Sequence, residues 1–296
     1  MKHSVTYPAT HPTTPSANQD QFALWNGPSG NAWVDNRATL DQMFVPLARF
    51  LIDRVHEATR HLPSGRLLDV GCGTGAATLA IASSLGERWQ CTGADISVPM
   101  IAVARSRAAH ARTPIEFLSA DVQTHDFPAR QFDLVVSRLG VMFFDDPVAA
   151  FVNLRKAAKP RARLHALAWR SAAENPFMTV VERAVTHMLP SLPPRQAGAP
   201  GQFAFAQRER VESVLAASGW EDVALTPVHF ECAFALADLR EYVSRLGPVG
   251  LALATLPPSE RERVVDAAVQ AFAPFTDGHE MRFTAACWHL AARAPA

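Results

Sequence analysis

Apolar residues change their spacing several times along this chain, and each change marks an element. From residue 39 onward Leu40, Met43, Phe44, Leu47, Phe50, Leu51 and Val55 recur at three- and four-residue intervals, the period of one helix face. Thr39 followed by Gln42 has the spacing of a capping box at its start. "RLLDVG" then reads as a buried strand and "AATLAIASSL" as a helix ending near Gly86. The alternation continues through strand "WQCTGADI", a helix over 98–110, strands "PIEFLSA" and "FDLVVSR", a helix over 147–158 and strand "RLHALAW". Asp146 followed by Pro147 supplies a cap and a first-turn proline for the last of these helices. Strands rich in Val, Leu and Ile that alternate with helices predict an α/β fold: a doubly wound, mostly parallel sheet covered on both faces. Such sheets take ligands at the carboxyl ends of their strands.

After Trp169 the alternation breaks. A helical stretch "ENPFMTVVERAVTHML" runs into the loop "PSLPPRQAGAPGQ", and a helix over 207–218, stopped by Gly219, leads to a strand around 222–230. Residues 238–273 are helical again, with Ser259 and Glu262 spaced for a capping box, and "MRFTAACWHLAARA" reads as a long last strand. The expected plan is a disordered or loosely ordered lead over 1–21, an N-terminal helical lid over 22–60 and a ligand-binding core over 61–170. Helical cap insertions over 171–206 and 238–275 cover the ligand edge, and 207–237 with 276–296 complete the core sheet.

Charge and cysteine usage narrow the function classes. The 28 basic and 28 acidic residues balance, and no run of five or six like charges occurs, which argues against nucleic-acid partners and polybasic membrane contacts. Cys72, Cys91, Cys232 and Cys287 stand alone, without the paired spacings of a zinc site or a disulfide scaffold, so no metal is expected and a cytoplasmic location fits. The polar start "MKHSVTYPATHPTTPSANQD" has no apolar signal region, and no run of about 18 apolar residues suggests a membrane span.

The chemistry concentrates in "LLDVGCGTGAATLAIA", residues 67–82. Glycines at 71, 73 and 75 let the backbone turn sharply and approach a ligand closely. Gly71, Gly73 and Ala76 satisfy a degenerate dinucleotide fingerprint, so this motif alone leaves the ligand open. Asp69 opposes a pyrophosphate at the following helix N-terminus but suits a ligand presenting an ammonium and a sulfonium. Asp95, 20 residues after Gly75, closes the second strand where it can accept from two ribose hydroxyls, a role shared by both cofactor classes. Asp121 closes the third, where a carboxylate can accept from an adenine amino group. A nicotinamide-dependent oxidoreductase is one alternative, but Tyr7 and Tyr242, the two tyrosines, lack a nearby lysine. A non-catalytic cofactor-binding module is another.

The successive stretches "LLDVGCGTG", "GADIS", "LSADV" and "FDLVVSRLGVMFF" resemble the strand-end motifs of class I S-adenosylmethionine-dependent methyltransferases. The likeness is to the small-molecule group related to the ubiquinone and menaquinone methyltransferases, over roughly residues 22–170. It implies a Rossmann-like sheet with an antiparallel last strand, S-adenosylmethionine as methyl donor, S-adenosylhomocysteine as product and no metal. Carried over by position, Gly71, Gly73 and Thr74 would line the methionine portion, with Asp69 beneath it. Asp95 would hold the ribose, Ile96 and Met100 would pack on the adenine, and Asp121 with Val122 would read its edge. Ser137 and Arg138 would close the site from the fourth strand, and Trp25 and Trp33 in "LWNGPSGNAW" would lie over the cofactor. Where the family carries two glycines before the fifth strand, Arg161 and Ala162 stand here, which implies altered loop geometry without loss of binding.

Methyl transfer is an in-line displacement in which alignment supplies much of the rate, and an oxygen or nitrogen nucleophile can also need a base. His187, seven residues after Val180 on the expected cap helix, is the weak candidate for that base. His165 lies about 13 Å before the active end of its strand and reads as a buried, hydrogen-bonded histidine. His229 has no evident partner. Trp25, Trp33, Phe143, Phe144 and Trp169 could surround a sulfonium or a flat acceptor. Arg138 needs a partner, either the cofactor carboxylate or an acid such as Asp145. The cap, with Phe177, Val180, Val181, Leu246, Val249, Leu251 and Leu253, suggests an apolar pocket for a small aromatic or polyketide-like acceptor, in a monomer or homodimer.

Overall fold

The computed structural model describes residues 18–111, 115–189, 192, 195–196 and 198–296. The part of the expected lead over residues 1–17 lies outside them. Helices α1 (Gln19–Asn26), α2 (Pro28–Asp35), α3 (Arg37–Met43) and α4 (Val45–Thr59) come first, so helix already begins inside the 1–21 stretch. The apolar stripe from residue 39 belongs to two helices, not one, because Phe44 leaves helical geometry and Pro46 sits in the first turn of α4. No capping box forms at Thr39, which is inside α3 and whose Oγ1 donates to Asp238 Oδ2 at 3.2 Å. Leu47, Leu51 and Val55 on α4 recur at intervals of four and are fully buried, each contributing roughly 2 kcal/mol of burial free energy.

The alternating core follows: β1 (Gly65–Val70), α5 (Ala76–Leu85), β2 (Trp89–Asp95), α6 (Val98–Ala111), β3 (Ile115–Ser119), β4 (Phe132–Arg138), α7 (Pro147–Ala157) and β5 (Ala158–Trp169). Asp146 caps α7 by accepting from the Ala149 N–H at 2.9 Å. Then come α8 (Val180–Val185), α9 (Arg208–Ala217), β6 (Glu221–Ala235), α10 (Leu239–Arg245), α11 (Gly247–Leu253), α12 (Pro258–Ala271), β7 (Thr276–Asp277) and β8 (Glu280–Arg293). Ser259 lies inside α12 and makes no cap; Pro257 holds the N-cap position. The expected cap helix over 174–189 shrinks to a 3₁₀ turn at Pro176–Met178 and the six residues of α8. Asn175, fully buried, bonds the β8 backbone instead, donating to Ala286 O at 3.0 Å and accepting from Ala286 N at 2.9 Å.

The strands order as β3-β2-β1-β4-β5-β8-β6, with β7 paired to β8. β1 to β5 are mutually parallel, and β8 runs antiparallel between β5 and β6. From β1 the chain builds outward to β2 and β3 and then crosses back to β4, so the ends of β1 and β4 form the switch point of the sheet, the place where such folds hold ligands. At the start of β5, Arg161 takes the left-handed φ of 64° and its N–H donates to Pro295 O at 3.1 Å.

Candidate active site

The turn after β1 is built by contacts that exclude side chains. Gly71 has φ 66°, and a Cβ there would stand 2.7 Å from the Cα of Gly140 in the loop after β4. A Cβ on Gly75, φ 82°, would meet the Phe117 ring at 2.8 Å. These approaches bring the two loops together and hold backbone N–H groups at the crevice floor.

Around this floor a cleft of about 960 Å³, counting its mouth, receives the ends of β1, β2, β3 and β4 and is roofed by α1 to α3. Gly71, Gly73, Thr74, Asp95, Ile96 and Met100 line it, as do Asp121, Val122, Arg138, Trp25 and Trp33. Asp95 Oδ2 accepts from Gly73 N and Oδ1 from Ser97 N, both at 2.8 Å, and burial raises its carboxyl above the usual range. Each oxygen keeps a lone pair for a ligand. Asp121 Oδ1 accepts from Asn18 Nδ2 at 3.1 Å and Gln123 N at 2.9 Å. Thr74 is clamped from behind: Arg107 donates to its carbonyl at 3.1 Å and hydroxyl at 3.3 Å while pairing with Asp41 at 2.8 Å.

Two expected residues stand outside the cleft wall. Asp69 is fully buried behind it, accepts from Thr78 Oγ1 at 2.6 Å, and is driven by burial to about 6, against the pull of that bond and of Arg138. Ser137 points away: its Oγ donates to Val70 O at 2.7 Å and accepts from Gly140 N at 3.1 Å, tying β4 to β1. Arg138 reaches the cleft over the Phe44 ring at 5.5 Å and makes no hydrogen bond or ion pair among the described residues, so Asp145 is not its partner. Burial lowers its guanidinium, with Asp41 and Asp69 opposing.

The roof is fastened at its back. Ser97 Oγ donates to Trp25 O at 2.7 Å, and Asn26 donates to Ile96 O at 3.0 Å while accepting from Val98 N at 2.8 Å. Trp25 meets Trp33 and Phe143 edge-on at 5.9 and 5.1 Å. Sequence reasoning missed Asn18, Arg37, Leu40, Asp41 and Phe44, all in the wall. A break in helix period at "MFVP" was the available signal for Phe44.

A second cavity of about 860 Å³ adjoins the first and shares Trp33, Leu40, Phe44, Leu139 and Phe143 with it. Trp169, Phe177, Val181, Tyr242, Leu246 and Val249 continue its wall, whereas Val180, Leu251 and Leu253 do not. His187 is exposed in the turn after α8 and lines neither cavity, because the helix meant to carry it ends at Val185. His165 bonds His289 at 3.1 Å, and burial holds its imidazole down at about 3. His229 is exposed. Among the described residues there is no cluster of His, Cys, Asp and Glu suited to a metal, and no helix is long and apolar enough to cross a membrane.

Residues 67–161 match the family described as "Methyltransferase domain". The chain is 36% identical over 127 residues to the aklanonic acid methyltransferase of Streptomyces sp. (strain C5), across 41% of this chain and 56% of that relative. It is 29% identical over 195 residues to the nocamycin O-methyltransferase of Saccharothrix syringae, across 63% and 68%. The match thus spans little more than half the length of the first relative. Among solved structures, the fold is similar to phosphoethanolamine N-methyltransferase 2 of Haemonchus contortus, TM-score 0.55 at 18% identity over 96% of this chain and 61% of that one. It is also similar to the YcgJ protein of Bacillus subtilis, TM-score 0.53 at 15% identity over 83% and 98%. The glycine turn and the strand-end carboxylates that share one cleft all fall within residues 67–161, the segment that matches the methyltransferase domain.

Proposed function

We propose that this enzyme methylates a small, largely apolar molecule held in the second cavity. The observation that carries the reading is the shared wall: an acceptor there and a donor in the strand-end cleft meet across Trp33, Leu40, Phe44, Leu139 and Phe143. The cleft fits the donor on its own chemistry. Asp95 offers two oriented acceptors for vicinal hydroxyls, and the positive φ at Gly71 and Gly75 lets the turn close against Gly140 and Phe117 at the cleft floor. When bound, S-adenosylmethionine supplies a methyl group activated by a sulfonium.

This chain's residues would then do the following. Gly71, Gly73 and Thr74 line the methionine portion, with buried Asp69 behind them. Arg138, unspent in the cleft, takes the carboxylate. Ile96 and Met100 pack against adenine, Asp121 and Val122 meet its edge, and Trp25 with Trp33 exclude water above. The segments 171–206 and 238–275 select the acceptor, since they furnish most of the second cavity's own wall. The four cysteines are free, which supports a cytoplasmic setting.

The relatives' names, aklanonic acid methyltransferase and nocamycin O-methyltransferase, support a small-molecule acceptor, and the second supports methylation on oxygen. Calorimetric titration with S-adenosylmethionine, followed by mass spectrometry of a panel of hydroxylated and carboxylated aromatic acceptors, tests the proposal. Micromolar donor binding and a 14-dalton gain on at least one acceptor are expected. Donor binding with transfer only to amines or to charged, open-chain acceptors would overturn the assignment.

A further inference from the structure

The polar groups of the second cavity divide into spent and unspent. Glu182 and Arg195 engage each other through two bonds, Nε to Oε2 at 2.9 Å and Nη2 to Oε1 at 2.5 Å, and Arg195 Nη1 donates to Gln202 Oε1 at 3.3 Å. The one carboxylate in the cavity wall among the described residues therefore has its charge met within that wall. By contrast, the phenol O–H of Tyr242 and the indole N–H of Trp169 have no hydrogen-bond partner among the described residues, although both side chains line the cavity. Tyr242 is fixed by its ring, which lies 5.2 Å from that of Phe234 and 6.1 Å from that of Phe272. Trp169 is held between Phe44 and Phe177 at 6.1 and 5.8 Å.

Neither atom is among the buried, unpartnered polar atoms of the described residues, so both are open at the cavity wall, where a ligand can supply the partner that the protein does not. An indole can only donate. Burial raises the Tyr242 phenol to about 12, so at neutral pH it keeps its proton and donates as well. A cavity whose unspent groups are donors set in aromatic walls recognises oxygen acceptors on a flat frame.

We infer that Tyr242 and Trp169 orient the methyl acceptor by donating to its carbonyl or ionised oxygens, which selects flat aromatic ketones, quinones and acids over hydrocarbons of the same shape. This rests on the second cavity being the acceptor site. No proton moves in these contacts; the groups position the acceptor and do not deprotonate it.

The test uses two probes of one shape, anthraquinone-2-sulfonate and anthracene-2-sulfonate, titrated calorimetrically into the full chain saturated with S-adenosylhomocysteine. The native protein should bind the quinone about tenfold more tightly, and Tyr242→Phe, which keeps the ring contacts, should cut that ratio about fivefold. Trp169→Phe should cut it independently. A merely structural role would weaken both probes alike and leave the ratio unchanged, which would overturn the inference, as would failure of the quinone probe to bind at millimolar concentration. Leu246→Trp, filling the cavity, should abolish binding of both. If it did not, the acceptor-site reading would fail as well, whereas a lost cavity response with an unchanged Tyr242→Phe ratio would sink the inference alone.

Discussion

The two adjoining cavities are built by different means. In the strand-end cleft the carboxylates are themselves held by backbone: Asp95 by the N–H groups of Gly73 and Ser97, Asp121 by that of Gln123. Its geometry is therefore a property of the sheet, set within two or three residues of each strand end. The second cavity is walled by side chains from α2, α3, α8, α10 and α11 and from the ends of β4 and β5, and its polar groups are positioned by ring packing. Sheet-built recognition is rigid and confined to one donor, while a wall drawn from insertions can change shape and donor placement without disturbing the sheet.

The comparison breaks most severely at the glycine floor. Gly71→Ala adds left-handed strain of roughly 1–2 kcal/mol and overpacking of roughly 1–3 kcal/mol against Gly140, backbone on backbone. Donor binding should disappear in calorimetry and the melting temperature should fall by several degrees. Wild-type affinity in this variant would mean the two loops separate easily. Asp95→Ala should cost roughly 1–3 kcal/mol of donor affinity, about 5- to 150-fold in Kd, because the ribose contacts and the anchoring of Gly73 N go together. An unchanged Kd would remove Asp95 from the proposed donor site, and with it the claim that backbone-held carboxylates do the recognising.

This division also explains what the sequence disclosed. Each core strand and the residues at its tip follow from local signals: a period, a cap, a glycine turn. The second cavity depends on contacts between distant segments. Asn175 bonds Ala286, 111 positions away, and so stays out of the expected cap helix, whose remnant α8 ends at Val185, before His187, which lines neither cavity. Tyr242 joins Trp169 only through folding. Ser137 is a different failure, since successive side chains on a strand face opposite ways and Ser137 and Arg138 cannot both enter one cleft. Strand parity was sufficient to separate them. The helix break at Phe44 was legible in Pro46, whereas Asn18 on Asp121 is a contact across 103 positions.

Asp69 sharpens the contrast through pH. Its carboxyl sits at about 6 in the folded chain against 3.8 when free, so the folded state binds the proton more tightly than the unfolded one. The penalty for ionising it is fully present above pH 6 and fades as pH falls through 6 toward 4. Asp69→Asn, which still accepts from Thr78, should be more stable than the native protein by roughly 1–2 kcal/mol above pH 6, with the gap closing toward pH 4 in paired thermal melts. A gap independent of pH would show that the native carboxylate is fully compensated in the absence of donor. The same variant should bind the cationic donor less tightly at pH 8, the cost of charge having been retained for the ligand and not for the fold.

Arg161 gives the smallest effect and the baseline for the others. It lies at the start of β5, the opposite end of the strand from Trp169, and neither cavity includes it. Its φ of 64° is the conformation glycine adopts without strain, and its N–H bond to Pro295 O is a backbone contact that any residue but proline keeps. Arg161→Gly relieves left-handed strain of about 1–2 kcal/mol but gives the unfolded chain more freedom, so the net gain should be at most about 1 kcal/mol. The expected result is a melting temperature raised by about 1–3 °C with donor affinity and probe discrimination both unchanged. A shift in either binding constant would mean that the lower end of β5 is coupled to the cavities through the strand, and the independence of sheet-built and insertion-built recognition would have to be given up.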